Sequence, residues 1–154
     1  MEIQFPLSTK IDTLKASGFS LIRFKHVKHV SSHDPHYFIV VPNSQASTHI
    51  VISVITSRIE KLNSYYMRTN KPQAVDSLVW INNQDFSFLN TDGCVINCND
   101  TDLYTYKEFE GKIDNPEEFE IKARDEAFSP DLKQKIIAAI KNSPIVLPRI
   151  RAIV

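Results

Sequence analysis

Three observations in the sequence predict a β-rich α+β domain. Its 154 residues and 17.6 kDa suit one core, and a chain of this size buries roughly two-thirds of its unfolded surface on folding. Hydrophobic residues make up 42% and charged residues 23%, a globular balance that excludes a disordered, collagen-like or coiled-coil chain. Short apolar runs bounded by turn residues outnumber stretches of helical spacing, so five or more strands and two or three helices must share one core. No repeat, low-complexity tract or linker interrupts residues 1–154. They are expected to form a single domain, with the strands over about 18–113 and a helical segment over about 114–154.

Residues 7–17 read as a short helix: Thr9 and Asp12 resemble a capping box, Ile11 and Leu14 keep helical spacing, and Gly18 supplies the stop. Residues 19–27 are aromatic and branched enough for a strand, although their alternation is imperfect. Turn chemistry over residues 31–35 precedes the apolar run His36-Tyr-Phe-Ile-Val-Val41, which Pro42-Asn-Ser closes. Thr48-His-Ile-Val-Ile-Ser-Val-Ile55 predicts a third strand. Ile55, Ile59, Leu62 and Tyr66 then follow steps of four, three and four, one face of an inserted helix that ends before Lys71-Pro72. Residues 77–81 and 93–98 return to strand composition, and Tyr104 and Tyr106 could begin another strand. Residues 114–126 are acidic and weakly periodic. Ser129-Pro-Asp predicts an N-cap, a proline in the first turn and a closing helix on Leu132, Ile136, Ile137 and Ile140, which Pro144 stops.

No apolar run approaches the ~20 residues of a membrane span, and the first 25 residues carry Glu2, Asp12 and lysines instead of an apolar signal core. Two cysteines make no disulfide framework. A cytoplasmic protein with reduced thiols and no membrane partner is expected. The zero net charge hides an asymmetry. Residues 1–75 carry nine Lys+Arg against four Asp+Glu, and residues 76–154 carry nine against fourteen. A neutral total excludes bulk polyanion condensation, yet it leaves room for a local basic face, or for chance clustering on a solvated surface.

Several residue sets could carry chemistry. His26, His29, His33 and His36 have a zinc-like spacing, but Asp34-Pro35 breaks any helix there, and hairpin-loop histidines are the better reading. Cys94 and Cys98 are spaced too widely for a Cys-x-x-Cys motif and read as buried, inert thiols. Thr56-Ser57, between a strand and a helix, could cap the helix, hold a phosphate, or do both. Asp92, Asp100 and Asp102 read as a solvated turn before they read as a cation site. Tyr65, Tyr66 and Arg68 could stack on unpaired bases, or Tyr66 could pack on Leu62. No metal or other cofactor is expected.

Four segments carry a family resemblance: Gly18-Phe-Ser-Leu-Ile-Arg-Phe24, His36-Tyr-Phe-Ile-Val-Val41, Val51-Ile-Ser-Val-Ile-Thr-Ser57, and Leu89-Asn-Thr-Asp-Gly-Cys-Val-Ile-Asn-Cys98 followed by Gly111-Lys-Ile113 and the helix over 129–142. In this order they resemble the MazF/PemK-type toxins of toxin–antitoxin modules, with the Thr-Ser ending the most specific match. The resemblance implies a small SH3-like β-barrel with an N-terminal, an inserted and a C-terminal helix. It also implies a metal-independent endoribonuclease acting on single-stranded RNA, a homodimer and an antitoxin protein or peptide as partner. Two family features are missing. Asp34-Pro35-His36 stands where Arg-Pro is usual, and acidic residues 97–102 stand where Asp-Gln-x-Arg is common.

RNA cleavage through the 2′-hydroxyl needs a base, an acid and donors for the pentacoordinate phosphate. His36 is expected to serve as acid or base, because an imidazole titrates near neutrality. Thr56 and Ser57 are expected to hold the phosphate, with Arg58, Arg23, Lys25 and Lys28 supplying charge to the RNA, in a groove between the loop 31–34 and the Thr56-Ser57 turn. The lost arginines keep an alternative open: a catalytically silent barrel that binds protein or RNA.

Overall fold

The structure is a computed structural model of the chain, and it describes residues 5–16, 18–29, 34–89 and 93–154. Seven strands form one antiparallel sheet: β1 (Ser20–His26), β2 (His36–Val41), β3 (His49–Thr56), β4 (Leu78–Ile81), β5 (Cys94–Thr105), β6 (Ile113–Asp114) and β7 (Glu120–Ala123). Their order is β4-β5-β3-β2-β1-β6, and β7 also pairs with β1. The helices are α1 (Leu7–Ala16), α2 (Ile59–Arg68), α3 (Tyr106–Lys112), α4 (Pro130–Asn142) and the single turn α5 (Pro148–Arg151). Among the described residues no helix is long and apolar enough to cross a membrane.

The mixed α+β class and the three expected helices are present, but the sheet does not close into a barrel. β4 ends it on one side, while β6 and β7 share the free edge of β1 on the other. Closure turns one sheet face inward as a core built by strands alone. Here helices cover both faces. Leu21, Ile39, Val41, Val51, Ile55 and Ile96 pack with Leu132, Ile136 and Ile140 of α4 and Ile150 of α5. Ile22, Phe24, Phe38, Val40, Ile52 and Val54 pack instead with Ile11 and Leu14 of α1 and Phe109 of α3. Phe24 anchors this second core, with its ring 4.6 Å from Phe38 and 5.5 Å, edge-on, from Phe109. Burial on both faces explains why β2 and β3 read as nearly continuous apolar runs, whereas β1 turns Arg23 and Lys25 toward Glu120 and Asp114 at its edge.

β5 runs unbroken through Tyr104, where the sequence suggested a separate strand. Ser53 faces Thr101 but Val54 faces Asn97, so residues 98–100 bulge without counterparts on β3. An odd number of extra residues exchanges the two faces of the strand. Ile96 before the bulge and Leu103 after it both lie against the α4 core, and this loss of period two hid the continuity.

The capping box also sits elsewhere. α1 starts at Leu7, with Thr9 and Lys10 N–H bonded to the Pro6 carbonyl, so Thr9 and Asp12 lie inside the helix. The box forms instead at Thr105, whose hydroxyl accepts from the Glu108 N–H while its own N–H donates to the Glu108 carboxylate, opening the unexpected α3. α4 begins as its sequence implied, with Ser129 Oγ accepting from the Leu132 N–H at 3.1 Å.

Gly18 has a packing role beyond ending a helix. A Cβ there would lie 2.3 Å from Asp125 Oδ1. That oxygen accepts from the Phe19 N–H at 2.9 Å, and Asp125 Oδ2 accepts from Lys133 at 2.8 Å, so one carboxylate ties β1 to α4. The Lys133 ammonium, then the Phe19 amide, hold this carboxyl below the usual carboxylate range. The tether is therefore intact above the ordinary value of about pH 4 and is lost only as pH falls through the lower native one. Gly18→Ala should destabilise the protein by about 1–3 kcal/mol, and much less when Asp125 is already alanine. Urea unfolding of the four proteins of that cycle checks it, and strictly additive losses would contradict the contact.

Candidate functional site

The pairing of β2 with β3 builds the site. The β2–β3 pairing ends at Phe38 and Val54; His36, the first residue of β2, and Thr56, the last of β3, each lie two residues beyond that pair, His36 held by β1 opposite Phe24 and Thr56 by β5 opposite Val95. A cleft of about 470 Å³ opens there, lined by Asp34, His36, Thr56, Ser57 and Arg58 together with Tyr37, Phe88, Leu89 and Cys94. The imidazole, both alcohols and one guanidinium that the sequence singled out thus share one lining. Asp34 ends the loop expected to form the opposite wall; residues 31–33 lie outside the described residues.

Thr56 is not the helix cap. The N-cap position of α2 is Arg58, which has no side-chain cap, and Thr56 Oγ1 accepts instead from the Arg58 N–H at 3.1 Å in a turn two residues long. As an acceptor in that bond, the Thr56 hydroxyl keeps its proton to donate into the cleft. Ser57 and Arg58 are exposed. α2 begins directly after them at Ile59, with the acidic Glu60 in its first turn.

The other three candidate cations lie away from this lining. Arg23 pairs with Glu120 at 3.6 Å, Lys25 with Asp114 at 3.6 Å, and Lys28 with Asp100 at 3.0 Å and Asp102 at 2.8 Å. Burial opposes the charge of Lys28, yet Asp102 and Asp100 outweigh it and raise the ammonium above its ordinary pKa. Asp100 and Asp102 therefore belong to an ion-paired stretch of β5, not to a loose turn. Asp92 lies outside the described residues. Arg58 is the one lysine or arginine lining the cleft among the described residues.

Of the histidine series, the described side chains of His26 and His36 have different surroundings. His26 is buried against Phe24 and Phe38. Its Nδ1 accepts from the Lys28 N–H at 3.1 Å, which leaves Nε2 to carry the proton and donate to Tyr104 Oη at 3.3 Å. His29 ends a 3-10 turn and His36 lines the cleft; His33 lies outside the described residues. Among the described residues no three His, Cys, Asp or Glu side chains converge as metal ligands.

Sequence reading missed the apolar wall. Tyr37 and Phe88 stand with ring centroids 5.4 Å apart and line the cleft beside Leu89. An aromatic in the polar stretch after β4 was the available signal. Gly93 enters β5 at φ 83°, a left-handed conformation that favours glycine, with the Ile81 carbonyl 3.5 Å from where a Cβ would be. Burial pushes the thiol of Cys94 up to about 11, with Asp85 adding to it, and that of Cys98 up to about 12. Neither is a nucleophile at neutral pH. In native protein at about pH 7.5 both thiols should react with a disulfide reagent far more slowly than in urea, and Cys94 should speed up as pH climbs toward 11. Rapid labelling of Cys94 near neutrality would contradict its burial.

Compared with known proteins, the chain matches no family model, no curated protein and no solved structure.

Proposed function

We propose that the protein is a toxin-like endoribonuclease that cleaves single-stranded RNA without a metal. One observation carries this reading: His36, Thr56, Ser57 and Arg58 line a single cleft where β2 begins and β3 ends, just beyond their last pair. In the reaction, the 2′-hydroxyl loses its proton and attacks the adjacent phosphorus, and the bond to the 5′ oxygen breaks. The products are a 2′,3′-cyclic phosphate and a 5′-hydroxyl. His36 exchanges a proton with one of the two oxygens, and solvent water takes or supplies the proton at the other. The Thr56 and Ser57 hydroxyls and the Arg58 guanidinium offer donors and positive charge to the pentacoordinate phosphate. The Tyr37 and Phe88 rings give a base an apolar wall to rest on. A cytoplasmic homodimer held in check by an antitoxin peptide belongs to the same reading and rests on the family resemblance.

A second reading has its own support. With Arg23, Lys25 and Lys28 engaged by carboxylates, Arg58 is the sole Lys or Arg lining the described cleft. A catalytically silent module that binds RNA or protein through that surface fits such sparse charge. Expression in a bacterium separates the two, since an active ribonuclease arrests growth and a silent module is tolerated.

Incubation of a generic single-stranded RNA with purified protein in chelator tests the roles. His36→Ala should lower the cleavage rate by a factor on the order of 100 or more, and Thr56→Ala by about 10- to 100-fold. Equal rates in native protein and both variants would remove the assignments.

A further inference from the structure

Positions 58, 61, 65 and 68 follow steps of three, four and three, so Arg58, Lys61, Tyr65 and Arg68 form one stripe on α2. All four are exposed, Tyr65 at 49%. The neighbouring stripe of Ile59, Leu62 and Tyr66 is the one packed toward Ala74, Leu78 and Val95. Tyr65 meets this inner stripe edge-on through Tyr66, with ring centroids 5.5 Å apart, yet stays half exposed, so packing accounts for only part of the outer stripe.

Its charge is also unanswered within the fold. Arg23, Lys25, Lys28, Lys122 and Lys133 each meet a carboxylate, whereas among the described residues Arg58, Lys61 and Arg68 meet none. Arg58 and Lys61 even stand at the amino end of the helix, where its dipole disfavours cations. A groove of about 690 Å³ runs along the stripe, shares Thr56 and Arg58 with the cleft, and sets one carboxylate, Glu60, among the three cations Arg58, Lys61 and Arg68. The Arg68 guanidinium lies 6.0 Å from the centre of the Tyr65 ring, which keeps an aromatic face and a cation side by side. From Arg58 to Arg68 the helix rises about 15 Å.

We propose that this stripe is a strand-binding subsite that takes the phosphodiester backbone and one unpaired base of a single-stranded RNA leaving the cleft. The inference rests on the ribonuclease reading for its ligand and adds the direction of the strand and the residues that hold it. Lys61 and Arg68 neutralise phosphates, and Tyr65 stacks a base irrespective of its identity. An acidic peptide would answer the cations, but it gives the aromatic between them no partner. A base requires a ring in that place.

The test uses the full chain and a labelled, cleavage-resistant 2′-O-methyl oligonucleotide of about twelve nucleotides, followed by anisotropy at salt from about 50 to 200 mM. Lys61→Ala with Arg68→Ala should weaken binding and flatten the log–log salt dependence by about 1.4, two phosphate contacts on a single strand. Tyr65→Ala should weaken it at least about fivefold with the slope unchanged, and Tyr65→Phe should restore it. Far-UV circular dichroism confirms that these surface variants fold. Native affinity and slope in all variants would overturn the subsite, as would displacement of the oligonucleotide by polyglutamate to the same extent from native protein and from Tyr65→Ala. The two readings fail separately. Cleavage that depends on His36 with binding indifferent to α2 sinks the subsite alone. Binding that depends on α2 with cleavage indifferent to His36 sinks the assigned chemistry alone.

Discussion

The register between β2 and β3 is the constraint on which the rest of the molecule depends. It puts Phe38 beside Val54 and Val40 beside Ile52 on one face of the sheet, and Ile39 beside Ser53 and Val41 beside Val51 on the other. Each face has its own helices to fill. A slip of one residue would send Phe38 and Val40 into the space shaped for Ile39 and Val41 and would invert both cores at once. Just beyond the last pair of this register, His36 at the start of β2 and Thr56 at the end of β3 line the same cleft. The cleft is thus held in place by the pairing that builds the interior, and it sits at the rim of a rigid sheet instead of on a long loop.

β5 adds a second device, a bulge satisfied by side chains. Thr101 Oγ1 donates to the Cys98 carbonyl at 2.7 Å and lies 2.7 Å from Ser53 Oγ. Asn99 reaches the Ala74 carbonyl through Nδ2 at 2.7 Å, while its Oδ1 accepts from Ser143 Oγ at 2.7 Å. Ser143 Oγ in turn accepts from the Ile145 and Val146 N–H groups. Asn97 donates to Tyr66 Oη at 3.2 Å. A buried polar network with its members paired specifies one arrangement. This one joins α2, the 3-10 stretch Pro72–Ser77 and the chain after α4 to the same few residues of β5. Tyr66 is the inward anchor of α2, so the network also decides which side of that helix turns outward.

The opposed charges of the two halves of the chain find much of their meaning inside the fold. β1 and the turn after it carry Arg23, Lys25 and Lys28, and the second half returns Glu120, Asp114, Asp100 and Asp102 to meet them. These partly exposed pairs contribute little stability each. Their larger effect is subtraction: once they are made, the unmatched cations of the first half are concentrated near the start and outer side of α2.

Local rules made much of this protein legible. The Ser129-Pro130 opening of α4, the apolar runs of β2 and β3 and the three-four spacing of α2 each depend on neighbours a few residues away, and each formed where its pattern pointed. The Thr105–Glu108 capping box is equally local but indistinguishable in pattern from Thr9–Asp12, because a capping pair has meaning only once the helix start is known. The residues of the cleft were legible as chemical types in His36, Thr56, Ser57 and Arg58. Their convergence was not, nor were the Tyr37–Phe88 wall, the open sheet or the pairing of the β1 cations. Composition and periodicity report what each segment would bury or expose alone. Which strand edge stays open, which face a bulge exchanges and which carboxylate meets a given lysine are settled by contacts between residues tens of positions apart, and these exist only after both sheet faces have found their helices.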